Sequence, residues 1–398
     1  MQRRMILGAL LLTLTLAVPF TSDAQKPIKV GVLTILSGPG ALFGEPVSKG
    51  ALMFAEEINA EGGILGRKFQ LIVRDTKGLP DEAVRVAREL ILKENVDFLQ
   101  GTFTSNESPA VSVVAKANKI VFIATIPATD RLTAPDQLHP YIFRVAKNTT
   151  IEGRAAAEIV AKWRVKRIAT ISPDYSYGQD VTKAFVDHLK KIAPAMEIVD
   201  QQWPKIGEAD YTPFITAQLA KKPDAAFSSL FAGNFVTFAK QAKALGYFEA
   251  INYNFMMGAE GGAQETTGAL GADYPVGIWS SAYDAFYWPD GPPAHKPYIA
   301  RLSKFMKTEH PSSFPIQGYI GMQFLAEAIK KANSADSDKV AKALLGLSVD
   351  TPIGTLTIRA KDHQANRGNL WGRMVNDPKY PFAILKPITY VDPAKFMD

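Results

Sequence analysis

The sequence predicts an α/β protein built as two doubly wound, parallel-sheet lobes joined by three crossovers. Three observations predict it. The chain of 398 residues is longer than one hydrophobic core usually serves. Apolar, strand-like runs alternate with helical patterns of about 10–15 residues, the mark of βαβ units. That alternation starts a second series near Glu152 and gives way to a helical block after Gly277.

The elements follow in order. Residues 29–36 form an apolar run that reads as a buried strand, with 37–44 as a glycine loop behind it. Pro46 falls near the first turn of the next helix, where its missing N–H costs nothing. Val47, Ala51, Phe54 and Ile58 recur on one face of that helix until Gly62-Gly63 ends it. The unit repeats as strand 69–74, helix 81–93, strand 96–100, helix 108–118 and strand 120–124. The second series reads as helix 152–163, strand 167–172, helix 179–191, strand 197–202, helix 212–220, strand 225–230, helix 234–245 and strand 253–257. Helices at 297–308, 316–331 and 336–345 then follow one another, and short strands at 356–358, 372–375 and 383–385 close the chain. A helical block after the second lobe means that the chain returns to complete the first. Crossovers are expected near 145–150, 278–283 and 348–351. Lobe one is then 25–147 with 280–349, and lobe two is 148–279 with 350–398, the latter including the last crossover segment.

The first 24 residues stand apart. Arg3 and Arg4 precede an apolar stretch over 6–18, Pro19 breaks it, and Ser22-Asp23-Ala24 supplies small residues where a signal peptidase reads. An apolar stretch of about 13 residues falls short of the roughly 20 that a bilayer requires. A secretory signal peptide cleaved after about Ala24 is therefore expected, and with it a periplasmic location. The chain has no cysteine, so disulfides, thiolate metal sites and a lipid anchor on cysteine are excluded. Basic residues (45) exceed acidic ones (39) for a net charge of +6, but the two signs are interspersed and no nucleic-acid partner is expected.

Catalytic patterns are missing: the sequence has no GxSxG elbow, no HExxH and no P-loop. The five histidines (His139, His188, His295, His310 and His363) are scattered and read as solvated surface residues, so no metal or cofactor is expected. One motif points the other way. The glycines Gly38, Gly40 and Gly44 follow the first strand, and Asp75 ends the second, in the manner of a dinucleotide fingerprint. That reading would make the chain an exported NADP-dependent oxidoreductase. Pro46 weighs against it by placing the helix start after the last glycine, and export separates the protein from the cytoplasmic cofactor.

The loops at the carboxyl ends of the strands carry the better candidates. Loop 101–108 is rich in hydroxyls and runs into a helix whose positive end suits a carboxylate, with Ser105 facing a ligand and Ser108 as N-cap. Loop 125–130 ends the next strand in the same way. In the second series, loops 174–178, 231–233 and 258–261 bring aromatic and acidic residues, among them Glu260. Donors on one side and an acid on the other suit a small zwitterion.

Three stretches carry a family resemblance: Val30-Gly31 through Ser37-Gly38-Pro39, the run Asn59-Ala60-Glu61-Gly62-Gly63-Ile64-Leu65-Gly66-Arg67, and Asp174 to Gly178. Across 27–398 the chain resembles the type I periplasmic binding proteins of the leucine/isoleucine/valine group, the substrate-binding components of ABC importers. The resemblance implies that Ser105 binds a ligand carboxylate with Thr129 or Ala128 beside it. It implies further that Tyr177 hydrogen-bonds from the second lobe, that Glu260 takes an ammonium, and that Phe43, Phe231 and Phe314 enclose an apolar side chain. Thr104, beside Ser105, joins the candidate ligand residues. The implied partners are an amino acid or aromatic acid and an inner-membrane permease, with the binding protein a monomer that closes by hinge motion. There are departures. Phe43 and Phe231 stand where the leucine binders have tyrosine, and the family's first-lobe cysteine pair is missing. An aromatic or apolar carboxylate without an amine is therefore the alternative cargo to an amino acid.

Overall fold

The computed structural model describes residues 26–38 and 40–397; the expected signal peptide and its cleavage point lie outside them. The first series forms β1 (Ile28–Thr34), α1 (Ala41–Ala60), β2 (Phe69–Asp75), α2 (Pro80–Leu92), β3 (Phe98–Gly101), α3 (Glu107–Asn118), β4 (Phe122–Ala124) and β5 (Ile142–Arg144). The strands are all parallel, in the order β2-β1-β3-β4-β5. Such a sheet is covered on both faces, which is why β1 reads as a nearly unbroken apolar run. The short β5 lies in a stretch not expected to be a strand, because three residues are too few to show a period.

The second series forms α4 (Thr149–Val160), β6 (Arg167–Ile171), α5 (Ser176–Ile192), β7 (Glu197–Gln202), α6 (Thr212–Ala220), β8 (Ala225–Ser228), α7 (Ala232–Ala244), α8 (Tyr247–Ala250), β9 (Phe255–Met257), α9 (Gln264–Leu270) and β10 (Trp279–Ala282). Strands β7-β6-β8-β9-β10 repeat the order of the first sheet, all parallel. The chain continues through α10 (His295–Met306), α11 (Pro315–Ala332), α12 (Ser337–Leu344), the hairpin β11 (Ser348–Thr351) and β12 (Gly354–Thr357), and then β13 (Asn369–Val375), β14 (Ile384–Leu385) and β15 (Thr389–Val391). Strand β13 joins the second sheet antiparallel to β10, with β14 and β15 against it.

Packing assigns the returning segment. Helices α10 to α12 bury Tyr298, Leu302, Ile320, Phe324 and Leu344 in one core with Val30, Val32 and Ala51 of the first series. The hairpin follows them, since Val349, Ile353, Leu356 and Ile358 lie in that same core. Residues 350–365 thus pack with the first lobe and not the second. The third crossover runs later than 348–351, between the bridges of Gln364 and Ala365 on the first side and Asn369 at the start of β13. A polar, turn-rich hairpin gives no sequence signal of which core it covers.

Helices α1 and α11 cross closely because glycine faces backbone on both. A Cβ on Gly50 would lie 1.8 Å from the Pro315 carbonyl oxygen, and one on Gly318 2.0 Å from that of Val47. Helix α1 also begins earlier than expected, at Ala41, so Pro46 lies inside it and Gly44 sits in its first turns. A Cβ on Gly44 would come 2.1 Å from the Ile35 carbonyl oxygen, so this glycine lets the helix start press onto the end of β1. The helix-start argument against a dinucleotide fold therefore does not hold.

Candidate functional site

Both sheets have the 2-1-3-4-5 order, whose crevice opens at the carboxyl ends of the strands beside the first one. A cleft with about 390 Å³ of empty space lies there between the two series. The first supplies Phe43 from α1, Phe103 and Ser105 after β3, Ile126 and Ala128 after β4, and Phe314 at the head of α11. The second supplies Tyr175 and Tyr177 after β6, Phe231 after β8, and Ala259 and Glu260 after β9. Lys147 and Tyr283 come from the crossovers.

Aromatic rings make most of the wall. Phe43 stacks on Phe314 with centroids 4.2 Å apart, and the Tyr283 ring meets Phe314 edge-on at 5.3 Å. Phe103 reaches across to Phe231 at 6.5 Å, and Phe231 meets Tyr177 edge-on at 6.3 Å. Offset and edge contacts of this kind favour a flat apolar guest between them. Two residues of the tight turns, Ala259 (φ 51°) and Glu260 (φ 59°), hold left-handed backbone without being glycine, a strained choice that recurs where side chains must be aimed.

Ser105 is buried in this wall, and its Oγ accepts the backbone N–H groups of Ala128 (3.3 Å) and Thr129 (3.2 Å). With both acceptor positions used, its hydroxyl proton is free to donate into the cleft. Of the two candidates beside it, Ala128 lines the cleft and Thr129 does not. The Thr129 hydroxyl donates to Asp180 at 2.8 Å, a bond between the two lobes, as is that of the Ser176 hydroxyl to Asn106 at 2.6 Å. Thr104 also turns away. Its hydroxyl (2.9 Å) and its N–H (2.6 Å) both go to Glu107. Helix α3 starts at Glu107, so Ser108 is not its N-cap; Ser108 shares a 2.8 Å hydrogen bond with Thr102. The Glu107 carboxylate also takes the Phe103 N–H, so two of the amides expected to hold a ligand carboxylate are already satisfied. The donor left at this end is Ser105.

The opposite end is ionic. Tyr177 lies in the first turn of α5, not in a loop, and its hydroxyl donates to Glu152 Oε1 at 2.8 Å. Glu152 Oε1 also accepts the Ala259 N–H at 2.8 Å, while its Oε2 takes Lys147 Nζ at 2.5 Å. Lys147 Nζ stands 3.0 Å from Glu260 Oε1, which Asn369 Nδ2 also reaches at 3.1 Å. Glu260 is thus not a lone acid awaiting an ammonium. Burial alone pushes the Lys147 ammonium down, but Glu152 and Glu260 outweigh it and hold the group charged. Burial raises Glu260, and Lys147 opposes that rise. Burial and the charges of Glu152 and Glu260 put the Tyr177 hydroxyl well above its ordinary range, so it stays a donor.

Lys147, Glu152, Tyr175, Tyr283, Phe103 and Ile126 are site residues that sequence reasoning missed. Tyr175 lay within a loop singled out for its aromatics, next to Tyr177. Lys147 and Glu152 left no local signal, because a lysine after a strand and a glutamate in a first helical turn are ordinary. The histidines are corrected too: His139, His295 and His363 are buried and hydrogen-bonded rather than solvated. Among the described residues no cluster of three or more His, Asp or Glu side chains is arranged to hold a metal, and no helix is long and apolar enough to cross a membrane.

Two α/β lobes with one aromatic and ionic cleft between them define a hinged solute-binding protein. The model of the periplasmic binding protein family matches residues 27–377, and the chain belongs to that family. The Leu/Ile/Val-binding protein BraC3 of Rhizobium johnstonii is 29% identical over 360 residues, covering 89% of this chain and 93% of its own. An ABC-transporter solute-binding protein from Rhodopseudomonas palustris BisB5, solved with 3,4-dihydroxybenzoic acid, superposes with a TM-score of 0.80 at 23% identity, covering 93% of this chain and 99% of its own. A second Rhodopseudomonas palustris solute-binding protein, solved with 4-hydroxybenzoate, gives 0.80 at 21% identity, covering 92% and 97%.

Proposed function

We propose that this chain captures a small carboxylate-bearing solute with an apolar or aromatic body in the periplasm, and delivers it as a monomer to an inner-membrane ABC permease. The observation that carries the reading is the aromatic cleft with the free Ser105 hydroxyl at one end and the Glu260 acid at the other. Ser105 donates to the carboxylate, Phe43, Phe231 and Phe314 enclose the body, and Tyr177 steadies the far wall through Glu152. Residues 25–147 with 280–365 act as one lobe and 148–279 with 366–398 as the other; closure brings Thr129 to Asp180 and Ser176 to Asn106. The role is binding without catalysis. A relative named for leucine, isoleucine and valine supports an amino acid as cargo, and relatives solved with hydroxybenzoates support an amine-free aromatic acid.

A thermal-shift panel of leucine, phenylalanine, benzoate and 4-hydroxybenzoate tests the reading, since a ligand at one hundred times its dissociation constant stabilises by about 2.7 kcal/mol. At least one acid is expected to raise the melting temperature. Silence from all four alongside a shift with NADP would favour the oxidoreductase instead.

A further inference from the structure

The cleft carries an internal cation at the point where an amino acid would place its own. Lys147 is fully buried, and its ammonium lies within 3.0 Å of Glu260 and 2.5 Å of Glu152. A second buried cation stands close by. The Lys147 Nζ is 5.0 Å from the centroid of the Tyr283 ring and the Arg367 guanidinium carbon is 5.9 Å from it, with Arg367 Nη2 bonded to the Tyr283 carbonyl at 2.8 Å. Two carboxylates therefore face two cations, and the cluster closes its charge with protein groups alone. An added ligand ammonium would be a surplus cation in a desolvated site, and a buried charge without a partner is costly. A hydroxyl or plain C–H at the same point carries no such cost. Glu260 Oε1 is occupied by Lys147 and Asn369, while Oε2 has no hydrogen-bond partner among the described residues, so one acceptor remains for a neutral donor.

We propose that Lys147 is a specificity-determining residue: by neutralising Glu260 from within the protein it selects carboxylates that lack an α-amine, aromatic ones above all, against amino acids. This deepens the reading of the cleft as a carboxylate site and rests on it.

Matched ligands that differ by the amine alone test it: 3-phenylpropanoate against L-phenylalanine, and 4-methylpentanoate against L-leucine, each by calorimetric titration. The wild-type protein is expected to bind the amine-free member at least about tenfold more tightly, about 1.4 kcal/mol. In Lys147→Met the preference should shift toward the amine-bearing member by at least about tenfold, because Glu260 is then open to a ligand ammonium. Should Lys147→Met fail to fold with two unpaired carboxylates, the double variant Lys147→Met with Glu152→Gln removes one acid with the cation and should show the same shift. Tighter binding of the amino acids by the wild type, or an unchanged ratio in a folded variant, overturns the role of Lys147 while leaving the carboxylate site standing. Binding of neither member of either pair overturns the carboxylate reading itself, and the proposal with it.

Discussion

Glu152 Oε1 accepts the backbone N–H of Ala259 at 2.8 Å, tying the first turn of α4 to the loop after β9 that carries Glu260. The same carboxylate holds Tyr177 and Lys147, so one side chain from the start of the second lobe organises the whole ionic end of the cleft.

Replacing Glu152 by Ala should therefore cost about 3–5 kcal/mol of stability, the usual loss when one partner of a buried ion pair is removed. Urea unfolding followed by circular dichroism measures it. A loss below about 1 kcal/mol would mean that Glu152 is dispensable to the cluster.

Ser105 and Thr129 separate in the same assay. Ser105→Ala removes a hydrogen bond to a charged ligand group and should weaken binding by about 1.5–3 kcal/mol, roughly tenfold to a hundredfold in dissociation constant. Thr129→Ala removes only the bond to Asp180 between the lobes and should cost about 1 kcal/mol of affinity. Equal losses would show that Thr129 reaches the ligand after all.

Two glycines should answer oppositely to alanine. Gly50→Ala forces a Cβ to within 1.8 Å of the Pro315 carbonyl oxygen and should destabilise the α1–α11 crossing by about 2–3 kcal/mol. Gly268→Ala, inside α9, meets nothing nearer than the Gln264 Nε2 at 3.4 Å and should stabilise by about 0.5–1 kcal/mol. Chemical denaturation of the two variants reads both signs.

His139 makes stability pH-dependent. Its Nδ1 accepts the Tyr141 N–H at 3.2 Å and its Nε2 pairs with Ser112 at 2.8 Å, an arrangement that suits the neutral ring. Burial, aided by the nearby Lys116 charge, pushes its pKa down to about 4 from the usual value of 6.5. The folded state then binds fewer protons than the unfolded state between those values. The stabilisation is present above about pH 6.5 and is lost as the pH falls toward 4, by at most about 3 kcal/mol. Unfolding free energies measured from pH 7 to 4 should fall less steeply in His139→Asn than in the wild type.

Much of the fold was legible because it depends on local periodicity. The apolar run of β1 and the spaced Val47, Ala51, Phe54 and Ile58 of α1 show buried faces one element at a time. So do the loops that carry Ser105, Tyr177 and Glu260, since strands that end at one sheet edge present their following loops together. The hairpin after α12 and the three-residue β5 were not legible, since neither is long enough to show which face is buried. Thr129 and Thr104 were misplaced for another reason. A hydroxyl in a loop has several partners within reach, and Asp180 and Glu107 won.

The sequence by itself determined the two doubly wound lobes, the absence of disulfides and the strand ends at which a ligand is met, all consequences of chain length, composition and short-range pattern. Tertiary structure alone decided the charge state of the cleft. Lys147 comes from a crossover, Glu152 from a helix start, Glu260 from a turn and Asn369 from a late strand, and folding brings them within hydrogen-bonding distance. A buried ionic site is defined by which charges neutralise one another in a low dielectric, and no single segment of chain contains that sum.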